Sequence, residues 1–140
     1  MSQTTGISDV GARHVAWAVL WGVFCGTAGG FVCGLAVDRF GEMGSVSLWA
    51  LGALGGYVAR RITTAPSRLV GWTLVAACLC ALVIAETCWI HWDTKQGSES
   101  WWAAFTLLPT FAQQYQISAI FASIFALFGA WSAYRTTAIA

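Results

Sequence analysis

Long apolar segments with little charge run through most of this sequence, and they limit what the chain can fold into. A helix needs about 20 apolar residues to cross the hydrocarbon core of a bilayer, because no water is present there to satisfy backbone polar groups. Four segments reach or approach this length, at residues 15–37, 43–59, 69–90 and 112–134. The sequence therefore predicts an all-α integral membrane protein, a four-helix bundle that forms a single transmembrane domain over residues 1–140.

The composition excludes several classes of protein. Hydrophobic residues make up 58% of the chain and charged residues 9%, whereas an ordinary soluble domain has about 45–50% and about 25%. The formal net charge is only +1, so the chain has no excess of positive charge with which to bind a nucleic acid. The expected surroundings are the lipid bilayer, with no nucleic-acid partner.

The last apolar segment is too long to be one span. Residues 101–134 form a run of 34 residues, which would extend about 51 Å as one helix. Pro109 and the glutamine-rich stretch 113–116 are expected to break this run. The sequence therefore predicts a fourth span at 112–134 and a separate short interfacial segment at 101–108.

The positive charges predict an orientation, because Lys and Arg in short loops are retained on the cytoplasmic side of a membrane. Arg39 and Lys95 fall at one end of the predicted bundle. The other end has five positive residues: Arg13, Arg60, Arg61, Arg68 and Arg135. Both termini are therefore expected to be cytoplasmic, with residues 1–12 as a loose polar tail.

Small residues recur at every fourth position within the predicted helices. The first helix has a row of four glycines and the second a row of two: Gly22, Gly26, Gly30 and Gly34, then Gly52 and Gly56. Residues four apart share a face of a helix, and glycine lets two backbones approach closely in lipid. These glycines are predicted to pack the helices of one chain together. The alternative is that they line a conduction path or an interface between copies.

Matching residue types also recur 55 positions apart. The aligned pairs are Arg13 with Arg68, Trp17 with Trp72, Cys25 with Cys80 and Cys33 with Cys88, and glycines of the first helix align with alanines of the third. This pattern indicates two repeated helical hairpins, an arrangement that some transporters use. General constraints on transmembrane helices could produce the same pattern by convergence.

Glu86 is the only carboxylate within a predicted span. Because burial of a charge in a membrane is costly, an ionisable residue there is a candidate functional residue. Together with His91, five positions further on, it forms a candidate ion or proton site to which Asp38 or Glu42 could contribute. The alternative is that Glu86 anchors the end of its helix and pairs with Lys95.

No motif predicts a metal, a cofactor or a catalytic centre. Zinc-binding helices have histidines four apart, or cysteines in a Cys-x-x-Cys pair, and neither pattern is present. The five cysteines lie in the first and third predicted helices, where thiols behave as small apolar residues. Cys33 and Cys88 are at similar depth and could form a disulfide if those two helices touch.

Two segments of the chain resemble known proteins. Residues 49–60 read Trp-Ala-Leu-Gly-Ala-Leu-Gly-Gly-Tyr-Val-Ala-Arg, and residues 125–135 read Phe-Ala-Leu-Phe-Gly-Ala-Trp-Ser-Ala-Tyr-Arg. Both resemble segments of small bacterial four-helix inner-membrane proteins of uncharacterised function. The resemblance implies a multi-pass protein of the bacterial inner (plasma) membrane, and it implies no active-site residues.

These patterns lead to hypotheses from different functional classes. The first is a non-catalytic integral membrane subunit that packs, through its helices, with partner proteins or further copies in a larger membrane complex. The alternative is a small oligomeric ion or solute transporter or channel, which needs several copies because four helices enclose little room. A membrane-embedded enzyme is the least favoured, because it needs polar residues that converge inside the bundle.

Overall fold

The computed structural model describes residues 4–63, 66–92 and 100–139, with side chains from residue 11 onwards. All regular structure in these ranges is helical, which confirms the all-α prediction. Seven α-helices follow one another, with a π-helical turn at Cys25–Gly29 and a 3₁₀ turn at Gly41–Ser45. The α-helices are α1 Thr4–Phe24, α2 Gly30–Phe40, α3 Val46–Thr63, α4 Arg68–Trp92, α5 Trp101–Thr106, α6 Leu108–Gln114 and α7 Gln116–Ala138.

Three helical stretches are long and apolar enough to cross a membrane, by length and composition: Gly11–Thr63, Arg68–Trp92 and Gln116–Ala138. The first has 53 residues, but it is not a single rod. The chain reverses at Gly41, whose φ of 62° is a backbone conformation that glycine adopts without steric cost. Two antiparallel arms result, and Trp21 of α1 donates a hydrogen bond from Nε1 to the Gly55 carbonyl of α3 over 3.0 Å.

The long helices pack as two hairpins side by side. In the first hairpin, α1 contacts α3, and α1 and α2 both contact α4 of the second hairpin. α7 lies between α3 and α4, and its contact with α3 is the most extensive helix contact in the described chain. The first rod runs parallel to α4, because Gly26 lies against Ala77 and Gly30 against Ala81.

Small side chains fill the interior, and large apolar side chains cover the outside. The main core cluster contains mostly alanine: Cys33, Leu48, Ala81, Ala85, Ala122 and Ala126. By contrast, the Trp17 side chain is 65% exposed and that of Trp131 is 58% exposed. A water-soluble bundle buries most of its large apolar side chains, so this distribution suits an exterior that faces lipid, with small residues at the helix contacts.

The π-helical turn keeps a row of four glycines on one face of the first rod. In an α-helix, residues four apart are offset by about 40° around the axis, because one turn takes 3.6 residues. Over the three steps from Gly22 to Gly34 the row would drift by about 120°. The turn at Cys25–Gly29 is wider and carries more residues per turn. It therefore offsets part of the drift, and all four glycines lie against α4.

The last third of the described chain departs from the predicted boundaries. The sequence predicts an interfacial segment at 101–108, whereas α5 and α6 together extend to Gln114, and α7 begins four residues later than predicted, at Gln116. Pro109 does not break a helix, because it lies in the first turn of α6, where a missing N–H loses no hydrogen bond. The break falls at Tyr115, with φ −118° and ψ 57°.

Two boundaries in the first hairpin also differ from expectation. α1 begins at Thr4, within the 1–12 segment that is expected to be a loose tail, and α3 covers Val46–Thr63 where a span at 43–59 is predicted. Hydrophobicity marks only the charge-free part of a helix. The ends are set by turns such as Gly41–Ser45, which the hydrophobic pattern does not record.

Candidate functional site

The four glycines of the first rod lie where α4 approaches most closely. A Cβ atom added at Gly26 would be 3.3 Å from the Ala77 Cα, and one added at Gly30 would be 3.1 Å from the Ala81 Cα. At Gly34 an added Cβ would be 2.7 Å from the Cβ of Cys88, and Gly22 faces Thr73 and Leu74. Each glycine therefore makes room for a residue of α4.

The two glycines of α3 face α7 in the same way. A Cβ at Gly52 would collide with the Gly129 backbone, and one at Gly56 would be 2.8 Å from the Ala133 Cα. These partners make α3 parallel to α7, as the first rod is parallel to α4. The six glycines that the sequence singles out thus all lie at contacts within this chain. Both pairs of equivalent helices run parallel, as a twofold axis along the bundle requires, and the duplication itself stays a prediction.

Glu86 lies at the other kind of site in this molecule, a polar cavity at one end of the bundle. We name this space of about 160 Å³ the Glu86 cavity; its polar lining is Asp38, Glu42, Ser45, Glu86 and Ser118. Asp38 and Glu86 are half-buried, and Glu42 is exposed. Three carboxylates from α2, the 3₁₀ turn and α4 therefore meet at one end of the fold.

The hydrogen bonding of this cavity is incomplete. The Ser118 hydroxyl donates to Oε1 of Glu42 over 3.0 Å. Ser45 is only 2% exposed and lines the cavity, yet within the described ranges its hydroxyl has no hydrogen-bond partner. No ion pair joins any of the three carboxylates to a cation of the described chain. The cavity thus holds uncompensated negative charge.

Aromatic rings line the adjoining space. A second cavity, of about 130 Å³, shares Glu86 and Trp89 with the first and is bounded further by Phe111 of α6 and Tyr115. The Trp89 ring lies edge-on to both, with centroid distances of 5.5 Å to Phe111 and 5.4 Å to Tyr115. Phe111 and Tyr115 stack on each other at 5.1 Å. We name Trp89, Phe111 and Tyr115 the aromatic triad.

His91, the other predicted member of the ion or proton site, lines neither of these two cavities. Its ring stacks on Trp101 with centroids 4.0 Å apart. Residues five apart on a helix are separated by about 140° around the axis, so Glu86 and His91 leave α4 in different directions. Lys95, the alternative partner of Glu86, lies outside the described residues.

The five cysteines are all free thiols. The disulfide considered between Cys33 and Cys88 is not formed, because the residue that meets Cys88 across the helix contact is Gly34. Cys33 points instead towards the core cluster with Leu48 of α3.

The described residues contain no group of three His, Cys, Asp or Glu side chains placed to hold a metal ion. Sequence reasoning located Glu86 and put Asp38 and Glu42 at the same end, but it missed Ser45 and the aromatic triad. The only sequence signal for these residues is their nearness to turns at that end. No family model, no curated protein and no solved structure matches this chain.

Proposed function

We propose that this protein is an integral membrane protein of the bacterial inner membrane, with four spans and both termini in the cytoplasm. The support is the two-armed first stretch, the two further apolar helices and the exposed large apolar side chains. The segregation of charge supports the orientation: five of the seven positive residues belong to the end opposite the Glu86 cavity. The resemblance to small bacterial four-helix membrane proteins supports the compartment.

Within this membrane, we propose that the protein is a non-catalytic subunit that packs against helices of a larger complex. The interior supports this over an internal pathway. Glycine and alanine contacts bring the backbones together along the bundle, and polar cavities lie only at one end among those found in the described chain. A solute could not pass through such a closed core.

The observation that carries the proposal is an apolar groove on the lateral surface. We name it the π groove, because it lies between the π-helical turn and α3; it has a volume of about 380 Å³. Its floor includes the small residues Ala28, Gly29 and Ala50, and its walls include Trp21 and Leu54. Ala50 is exposed, and Ala28 and Gly29 are half-buried. Small residues that face outward from a membrane helix allow a further helix to approach closely.

The test is purification from the native membrane in mild detergent, with the mass of the intact particle and the identity of each chain measured. We expect a stoichiometric partner with the wild type. Ala50→Leu fills the groove and should release the partner. Ala76→Leu makes the same change at an exposed position of α4, away from the groove, and should retain it. A particle that contains one copy of this chain alone would contradict the proposal.

The second candidate function is a small oligomeric ion or solute transporter, and the Glu86 cavity favours it. Because the core of one chain is closed, the pathway would lie between copies, with the three carboxylates at its mouth. A flux assay in proteoliposomes would compare the wild type with Glu86→Gln. A defined oligomer with flux that depends on Glu86 would favour this function, whereas flux no greater than that of empty liposomes would remove it.

A further inference from the structure

We propose that the Glu86 cavity and the aromatic triad together bind an organic ammonium group that carries an apolar tail. All the residues involved belong to this chain, so the proposal does not depend on a partner protein. It goes beyond the function proposed above, and a failure of either leaves the other standing.

The first argument is charge. Asp38, Glu42 and Glu86 line one cavity, and no cation of the described chain pairs with them. Like charges held together in a half-buried space repel one another and lose hydration. A bound cation would offset both effects, so the charge of the cavity is complementary to a positive ligand.

The second argument is the Ser45 hydroxyl, which is independent of the carboxylates. Ser45 is 98% buried, since only 2% of it is exposed, and it lines the same cavity without a hydrogen-bond partner in the described chain. A buried hydroxyl without a partner is costly. A ligand with N–H donors would satisfy its acceptor oxygen, and the carboxylates can accept further hydrogen bonds from the same nitrogen.

The third argument is the aromatic triad, which selects an organic cation. Cations bind over the faces of Trp, Tyr and Phe rings, and cages of such rings recognise ammonium groups. Trp89 lines both cavities, so its ring stands between the acidic side and the Phe111–Tyr115 stack. In addition, no three metal-ligating side chains of the described chain are placed around one ion. A metal ion therefore fits this site less well than an ammonium group.

The position of the site accounts for the apolar tail. Glu86 is six residues before the end of α4 at Trp92, which is about 9 Å along the helix. The adjoining cavity continues between apolar side chains of α4, α6 and α7, including Leu82, Leu108 and Ala119. An ammonium group at Glu86 could thus extend its tail along the apolar surface. Two sources supply this chemistry: the headgroup of an amine-containing phospholipid, or a free long-chain amine.

The experiment uses the full chain purified in dodecylmaltoside, with bound molecules counted by native mass spectrometry as the probe is titrated. The first probe is dodecylammonium, and its neutral match is dodecanol, which has the same tail without the charge. The second pair is phosphatidylethanolamine and phosphatidylglycerol with identical acyl chains. Mg²⁺ and Ca²⁺ are titrated separately.

The variants are matched in charge. Glu86→Gln removes a cavity carboxylate and should weaken dodecylammonium binding about tenfold, since a charged hydrogen bond is lost. Asp9→Asn removes the same charge from α1, near the opposite end of the bundle, and should leave binding unchanged. Ser45→Ala and Trp89→Leu should each weaken binding as well, which keeps the test informative if Glu86→Gln does not fold. Helicity by circular dichroism checks each variant.

Each outcome decides. Saturable dodecylammonium binding that depends on Glu86 supports the proposal; additional binding of phosphatidylethanolamine but not phosphatidylglycerol identifies a lipid headgroup as the source, and failure of both lipids identifies a free amine. Dodecanol binding as tightly as dodecylammonium would overturn the proposal. So would equal binding to the wild type and all three cavity variants, or tight binding of Mg²⁺ or Ca²⁺ that dodecylammonium cannot displace.

Discussion

The two ends of α4 pack in opposite ways. In its middle, α4 faces the glycines of the first rod, and at Gly26 and Gly30 the two backbones come into contact. Towards Trp92 its neighbours are the short helices α5 and α6, and its contacts are aromatic rings such as Phe111. The glycine contacts leave little space, whereas the aromatic end leaves several cavities.

The difference teaches how this fold separates stability from binding. Glycine and alanine bring helix axes close together, so dispersion contacts are dense and nothing else can enter. Aromatic rings are rigid and meet at their edges or with offset faces, so they hold helices apart and leave gaps. Changes along the glycine contacts should therefore affect unfolding most, and changes at the aromatic end should affect it least.

The largest effect is expected for Gly52→Leu. An added Cβ at this position would collide with the backbone of Gly129, which cannot move aside as a flexible side chain can. We expect the free energy of unfolding in detergent to fall by about 3 kcal/mol, at the upper end of overpacking costs. Gly11→Leu is the control, because an added Cβ there meets nothing within 4 Å. Equal stability of both variants would show that α3 and α7 do not pack as described.

A smaller loss, of about 2 kcal/mol, is expected for Gly26→Leu. The nearest atom to an added Cβ is the Ala77 Cα at 3.3 Å, so a shift of a few tenths of an ångström relieves part of the clash. Thermal unfolding followed by circular dichroism would measure the change, with Ala76→Leu on the exposed face of α4 as the control. A stable Gly26→Leu protein would mean that the first rod does not rest on α4 through its glycines.

Trp89→Leu addresses the aromatic end. It removes two edge-on ring contacts but leaves apolar volume in place, so we expect a loss of about 1 kcal/mol. Trp102, which is 72% exposed, provides the control substitution Trp102→Leu. If Trp89→Leu destabilised the protein as much as Gly52→Leu, the proposed division between the two ends would be wrong.

The smallest effect is expected for Ser118→Ala. This change removes the hydroxyl that donates to Glu42, and because the bond is exposed we expect a loss of no more than about 0.5 kcal/mol. Ser132→Ala on α7 is the comparison, measured by the same unfolding assay. A loss several times larger would indicate that the Glu86 cavity contributes to folding rather than to binding alone.

The glycine positions could be found from the sequence because spacing by four is a local property of a helix. The residues that they meet could not, since the pairing of Gly52 with Gly129 depends on where α7 inserts. The same limit applies to the candidate site. Glu86 stands out as a carboxylate in an apolar segment, but Ser45 and Phe111 reach it only through the 3₁₀ turn and the fold of α6.

His91 illustrates why nearness in sequence misleads. It is five residues from Glu86, and the sequence groups the two as one site. On a helix this spacing turns the side chains about 140° apart, and the Trp101 ring of α5 then stacks on the His91 ring. Only the position of α5, which follows residues 93–99, decides which side chain His91 meets.

The place of α7 has a consequence for how the protein is made. Chains fold from the N-terminus as they leave the ribosome, so α1 to α4 are synthesised before α7. Until α7 arrives, the Gly52 and Gly56 face of α3 and the Gly71 face of α4 have no neighbour from this chain. Its arrival also supplies the Thr137 carbonyl that accepts a hydrogen bond from the Ser67 amide over 2.8 Å. The helix made last therefore completes the core, and a ribosome that stalls before it would leave an open three-helix intermediate for membrane quality control to recognise.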